Sequence, residues 1–168
     1  MNKTVLLLSL ALLASILFAD PFGLKMGMTL EEIQEKCGGR KPECFGPSFF
    51  EIEPIRKNDR FVKYVALFDD AIGLFGVTAE TEATDIKTCE LKLKDLISIL
   101  EQYYGKPSVK GDNGCIWDVT SCKTLKKERL FKIQVVSGPI DDGKKREVAL
   151  IYLFENFQKI QEPSDGPF

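Results

Sequence analysis

The sequence predicts an α+β fold: an antiparallel sheet covered by helices on one face, built from two tandem repeats of a helix followed by three strands. Three observations predict it. Two stretches carry helical periodicity with start and stop signals, and six short apolar stretches have strand character. The order of these elements also recurs when the chain is shifted by 67 residues. With 168 residues, 44% of them apolar and 29% charged, the chain can bury a sizeable core and is too apolar to be disordered.

The first 19 residues are read apart from the fold. Lys3 precedes an apolar run from Val5 to Phe18, broken only by Ser9 and Ser15, and Ala19 is a small residue at a cleavage point before Asp20. The run is shorter than the roughly 20 apolar residues that a membrane span needs. Residues 1–19 are therefore expected to be a cleaved signal peptide. The remaining chain is expected to be exported, periplasmic or secreted, with no transmembrane span.

The first repeat covers 20–84. Thr29-Leu30-Glu31-Glu32 is a capping box, and Leu30, Ile33 and Cys37 then share a helical face until Gly38-Gly39 stops the helix, with Pro42 soon after. Strands are expected over 49–53, 61–68 and 72–79, the last two joined as a hairpin by Asp69-Asp70-Ala71. The second repeat covers 85–157. Thr88 can cap its helix, Leu93, Leu96, Ile97, Leu100 and Tyr104 form one apolar stripe, and Gly105-Lys106-Pro107 ends it. Strands are expected over 115–120, 129–136 and 147–154, with Gly138-Pro139 and Asp141-Asp142-Gly143 as turn chemistry between the last two. Residues 158–168, with Pro163 and Gly166, read as a flexible tail. Under the 67-residue shift Leu30 falls on Ile97, Ile33 on Leu100, Gly38 on Gly105 and Phe50 on Trp117.

All five cysteines (Cys37, Cys44, Cys89, Cys115 and Cys122) lie after the leader, where export permits disulfides. The odd number leaves one thiol unpaired or bonded to another chain. Cys37 and Cys44 flank a Gly/Pro-rich loop and are the favoured pair. Cys115 and Cys122 flank a strand that would hold them about 23 Å apart, so they bond only if the chain turns between them; otherwise one pairs with Cys89. The absence of a C-x-x-C argues against a thioredoxin-type redox role.

The composition also narrows the chemistry. The chain has no His, which removes His-based triads, the usual zinc sites and His general bases. A net charge of −2 argues against nucleic acid as a partner. No cofactor or metal is expected: Asp69-Asp70 and Asp141-Asp142-Gly143 lack calcium-loop spacing, and Gly73 to Gly76 lacks the Lys-Ser/Thr of a phosphate loop. Cys89 is expected in the first turn of the second helix, where a helix N-terminus favours thiolate. Asp85 and Glu90 oppose that, no His base exists, and the residue reads first as a disulfide partner. Glu51 and Asp118 are equivalent under the shift, but their spacing does not bring them together as a glycosidase pair. Lys123, Lys126, Lys127 and Arg129, followed by Lys144-Lys145-Arg146, read as a solvated loop or a patch for an anionic partner. Among the aromatics Phe22, Phe45, Phe49, Phe50, Phe61, Trp117 and Phe168, those exposed on the uncovered sheet face would mark an interface. Phe50 and Trp117 are the expected binding residues.

Gly27-Met28-Thr29, Ile33, Gly38-Gly39 and Pro42 together resemble the helix opening of the SmpA/OmlA-like outer-membrane assembly lipoproteins, whose pattern runs G-M-T, a hydrophobic residue, then G-x-P. The tandem layout resembles the β-lactamase-inhibitor-protein fold. The chain departs from the lipoproteins in lacking a lipidation Cys after the apolar run and in having Gly38-Gly39-Arg40-Lys41-Pro42 in place of G-x-P. The resemblance implies a non-catalytic protein-binding module. The expected function is thus an exported module that holds another protein of the envelope or medium, as an inhibitor or an assembly factor. The alternatives are a small secreted enzyme using carboxylates or Cys89, or a binder of an envelope glycan or lipid.

Overall fold

The computed structural model describes residues 20–140 and 144–161. The expected signal peptide, the turn at Asp141-Asp142-Gly143 and the tail from residue 162 lie outside the described residues.

The capping box at Thr29 forms. Its hydroxyl accepts from the Glu32 N–H at 3.3 Å, and the Glu32 carboxylate accepts from the Thr29 N–H at 2.8 Å, opening helix α1 (Leu30–Lys36). Helix α2 (Ile86–Tyr104) is capped one turn earlier than expected. Asp85 is the N-cap, and its carboxylate accepts the Thr88 N–H at 3.0 Å and the Thr88 hydroxyl at 2.6 Å. Thr88 is thus the donor that the cap satisfies; both residue types suit the position, and the carboxylate takes it.

Eight strands form one antiparallel sheet: β1 (Glu43–Gly46), β2 (Phe49–Ile52), β3 (Lys63–Asp69), β4 (Gly73–Glu80), β5 (Val109–Gly111), β6 (Gly114–Asp118), β7 (Leu130–Ile140) and β8 (Lys145–Phe154). A short helix, α3 (Lys123–Lys127), lies between β6 and β7, and a 3-10 turn (Glu155–Phe157) leads into α4 (Gln158–Gln161). Each half therefore contributes four strands rather than the expected three. The additional strands, β1 and β5, are the two edges; they are short and mostly exposed, so no alternating apolar pattern announces them.

The strand order is β1-β2-β3-β4-β8-β7-β6-β5, so two four-stranded meanders meet along β4 and β8. The 67-residue shift survives in the backbone register of the middle strands. Phe50↔Ala66 and Glu51↔Val65 on β2–β3 become Trp117↔Ile133 and Asp118↔Lys132 on β6–β7. The shift breaks at the last strand, since β8 begins at Lys145 where it places Ile140.

The ladder separates the two faces. One row runs Phe50, Ala66, Val77, Tyr152, Ile133, Trp117 across six strands, and the next same-side row runs Ile52, Tyr64, Ala79, Leu150, Val135, Cys115. These residues join Ile33 of α1, Leu93, Leu96 and Leu100 of α2, and Leu125 of α3 in one core. Each large apolar side chain buried there contributes roughly 1.5–3 kcal/mol. The chain before α1 is stitched onto β4: the Gly27 N–H donates to the Leu74 carbonyl at 2.8 Å and the Leu74 N–H to the Met28 carbonyl at 2.9 Å. Gly73 is required at this crossing, because it has φ +72° and a Cβ there would stand 2.5 Å from the Gly27 carbonyl oxygen.

Candidate functional site

Helices α1, α2 and α3 all contribute to the core on the covered face. The opposite face carries the intervening rows. The middle one runs Glu51, Val65, Thr78, Ile151, Gln134, Ile116, and its neighbour runs Phe49, Leu67, Gly76, Leu153, Lys132. Leu67 and Leu153 close over β4 because Gly76 has no side chain; a Cβ there would meet Leu67 Cδ1 at 2.9 Å and Leu153 Cδ2 at 3.0 Å. Val65 on this face is 4% exposed yet lies outside the core cluster. The band ends at the β1–β2 edge in Phe45 and Phe49. Their rings stack at 5.9 Å, stand 57% and 45% exposed, and have the Lys63 ammonium 5.7 Å above Phe45. At the far corner, bulges set Phe75 and Phe131 out of the ladder, and both pack on Phe157.

This geometry corrects the expected binding residues. Trp117 is on the covered face with 0% exposure, and its indole N–H donates to the Gly105 carbonyl at 2.8 Å. Phe50 shares its row, half-buried and edge-on to Phe68 at 5.8 Å. Neither is an exposed anchor. Their neighbours Phe49 and Ile116 take the open face, because side chains alternate along a strand and both parities of these strands are apolar.

All five cysteines are free thiols in the structure, including the pair favoured from sequence. Cys37 caps the end of α1 and points into the core, whereas Cys44 sits exposed on edge strand β1 with its S–H on the Gly46 carbonyl at 3.1 Å. Cys122 donates to the Tyr104 carbonyl at 3.1 Å. Burial pushes the Cys89 thiol up despite the opposing pull of Arg146 and Lys92, which disfavours the thiolate a nucleophile needs.

Glu51 and Asp118 lie on β2 and β6, five strand spacings apart, or about 24 Å. That is far beyond the roughly 5–9.5 Å of glycosidase carboxylates. Asp118 instead ties a turn: its Oδ1 accepts the Thr120 hydroxyl at 2.5 Å, the Thr120 N–H at 3.1 Å and the Ser121 N–H at 3.1 Å. The Thr120 hydroxyl leads in lowering its pKa to about 2. A carboxylate depressed in the folded state stabilises above its unfolded value of about 3.9 and loses that contribution as pH falls through the folded value. Thermal unfolding followed by circular dichroism should show the wild type losing stability between about pH 4 and about pH 2, with Asp118→Asn losing less over that window.

The basic run lies on α3 and the turn after it, where Arg129 Nε approaches Glu155 at 3.8 Å. Arg146 turns inward instead, donating to the Ser137 carbonyl at 3.1 Å and to Asn113 Oδ1 at 3.3 Å. A cleft of 740 Å³ beside β1–β3 is lined by Arg40, Lys41, Glu53, Lys57 and Lys63. Its charges pair locally, with Arg40 and Lys57 both on Glu53 and Lys63 on Glu80 at 3.2 Å. A comparison with protein-family models, curated proteins and solved structures found no match in any of the three.

Proposed function

We propose that the chain is an exported, non-catalytic protein-binding module that holds an apolar surface of another protein against its open sheet face. The observation that carries this reading is the band from Phe45 and Phe49 through Leu67 and Leu153 to Ile151 and Ile116, with no part of the helix-covered core upon it. Leu67, Leu153, Ile151 and Ile116 are half-buried and the rim rings of Phe45 and Phe49 are exposed; contiguous apolar surface of this kind suits an interaction face, and stacked aromatics at a rim suit hot-spot contacts. The helix-plus-meander layout, and its resemblance to inhibitor and assembly modules, support a protein as the occupant. The cleft beside β1–β3 mixes Arg40, Lys41, Glu53, Lys57 and Lys63 with Ile52, Phe61, Val62 and Tyr64, so its lining does not single out a lipid tail. The raised Cys89 thiol and the separated Glu51 and Asp118 weaken the enzyme alternative.

In-cell crosslinking of the tagged exported chain, followed by purification and mass spectrometry, tests the reading. One stoichiometric partner is expected, lost when Phe49 is replaced by alanine in a protein that melts as the wild type does. A broad search that returns no partner would overturn it in favour of a small ligand.

A further inference from the structure

Helix α2 from Ile86 to Ile97, the β5–β6 hairpin and the end of the β7–β8 pair border a cleft of 340 Å³. Its residues Arg146 and Ser137 continue the covered rows of Val148 and Val135, so the cleft lies across the sheet from the open face. Small-molecule sites span about 300–1,000 Å³, and this cleft falls within that range. Cys89 and Leu93, both buried, and Ile86 and Ile97 on the same helix make one wall apolar.

Arg146 stands in the same cleft and is fixed at both ends. Its backbone N–H and carbonyl pair with the carbonyl and N–H of Thr84, each at 2.8 Å. Its Nη2 donates to the Ser137 carbonyl at 3.1 Å, and to the Ser137 hydroxyl and Asn113 Oδ1 at 3.3 Å each. All of these acceptors are neutral. Among the described residues no carboxylate pairs with Arg146, and its Nη1 and Nε make no hydrogen bond. A half-buried guanidinium held by neutral acceptors alone lacks a counter-charge. The acids of the lining, Glu90 and Asp112, are exposed and keep their water, so the deficit lies with the cation. Of the two lysines in the lining, Lys110 pairs with Glu101 at 3.5 Å and Lys94 is exposed.

We propose that this cleft binds a small organic acid, with its carboxylate on Arg146 and its apolar body along Leu93, Ile97 and Ile86. A guanidinium presents donors in a planar fork that matches the two oxygens of a carboxylate. With Nη2 held by the sheet, Nη1 and Nε keep their N–H donors for the ligand. A single negative charge suits the site. Only one cation there is half-buried, and Glu90 and Asp112 at the mouth oppose a higher charge. The apolar wall beside Arg146 selects an acid that carries hydrocarbon over a bare anion.

Titrating the purified, nitrogen-15-labelled protein with octanoate, octanamide and acetate, read by two-dimensional NMR, tests the site. Octanoate should shift the amides of Cys89, Leu93, Asn113 and Ser137 saturably. Octanamide, which lacks the charge, and acetate, which lacks the chain, should each bind at least about 10-fold more weakly. Arg146→Gln should weaken octanoate by at least about 10-fold and leave octanamide unchanged. Equal binding of octanoate and octanamide, no saturable shift, or shifts centred on Ile151 across the sheet would each overturn the proposal. Should Arg146→Gln fail to fold, Ile86→Asp decides. Ile86 is 51% exposed at the first position of α2, where a carboxylate suits the helix end, so the fold is kept. That substitution should weaken octanoate more than octanamide, and an equal effect on both sinks the carboxylate site.

Discussion

Trp117→Ala is expected to unfold the protein at temperatures the wild type survives, with a loss of about 3–5 kcal/mol for truncating a buried aromatic. The indole is fully buried in the row that also holds Ile133 and Tyr152. Its N–H reaches the Gly105 carbonyl at 2.8 Å, which ties β6 to the end of α2. Removing it opens a cavity between helix and sheet and strips that carbonyl of its donor, a further cost of about 1–3 kcal/mol if the group stays dry. For a chain of this size each kcal/mol shifts the melting point by about 2–4 °C, so a drop of about 10 °C or more is expected. Thermal unfolding followed by circular dichroism measures it. An unchanged midpoint would mean that the indole is not packed in the core. Phe49→Ala, on the open face, should leave the midpoint close to that of the wild type.

The contrast between Trp117 and Phe49 shows what was legible in the sequence. Capping at Thr29, the apolar stripe of α2 and the hairpin at Asp69-Asp70 each depend on residues a few positions apart, so local chemistry declares them. The 67-residue shift carries Phe50↔Ala66 onto Trp117↔Ile133 in the ladder but does not carry β4 onto β8, so the register matches in part of the sheet only. Strand parity was not legible. In Phe61 to Phe68 both alternate sets are apolar, Tyr64-Ala66-Phe68 on one side and Val65-Leu67 on the other, and nothing local says which set the helices cover. The edge strands β1 and β5 escaped because a short edge needs only backbone pairing to one neighbour. The Arg146 cleft escaped for another reason: Asn113 and Arg146 are 33 residues apart, and only packing brings them together.

Parity also makes the open face testable by a single pair of substitutions. Ile151 and Leu150 are adjacent on β8 and face opposite ways, Ile151 between Thr78 and Gln134, Leu150 between Ala79 and Val135. Ile151→Lys is expected to weaken partner binding by about 30-fold or more, while costing about 1 kcal/mol or less of stability. On a face open to solvent the lysine stem lies along Thr78 and Gln134 and its ammonium reaches water. Once a partner closes over the face, that ammonium is trapped without a counter-charge, and the complex, not the fold, bears the cost. Leu150→Lys puts the same charge into the 0% exposed core and should prevent folding. A binding titration beside a melting curve reads both effects. Wild-type affinity in Ile151→Lys would place the interface elsewhere. A loss of stability as large as that of Leu150→Lys would mean that the chain itself covers this face, leaving no room there for a partner.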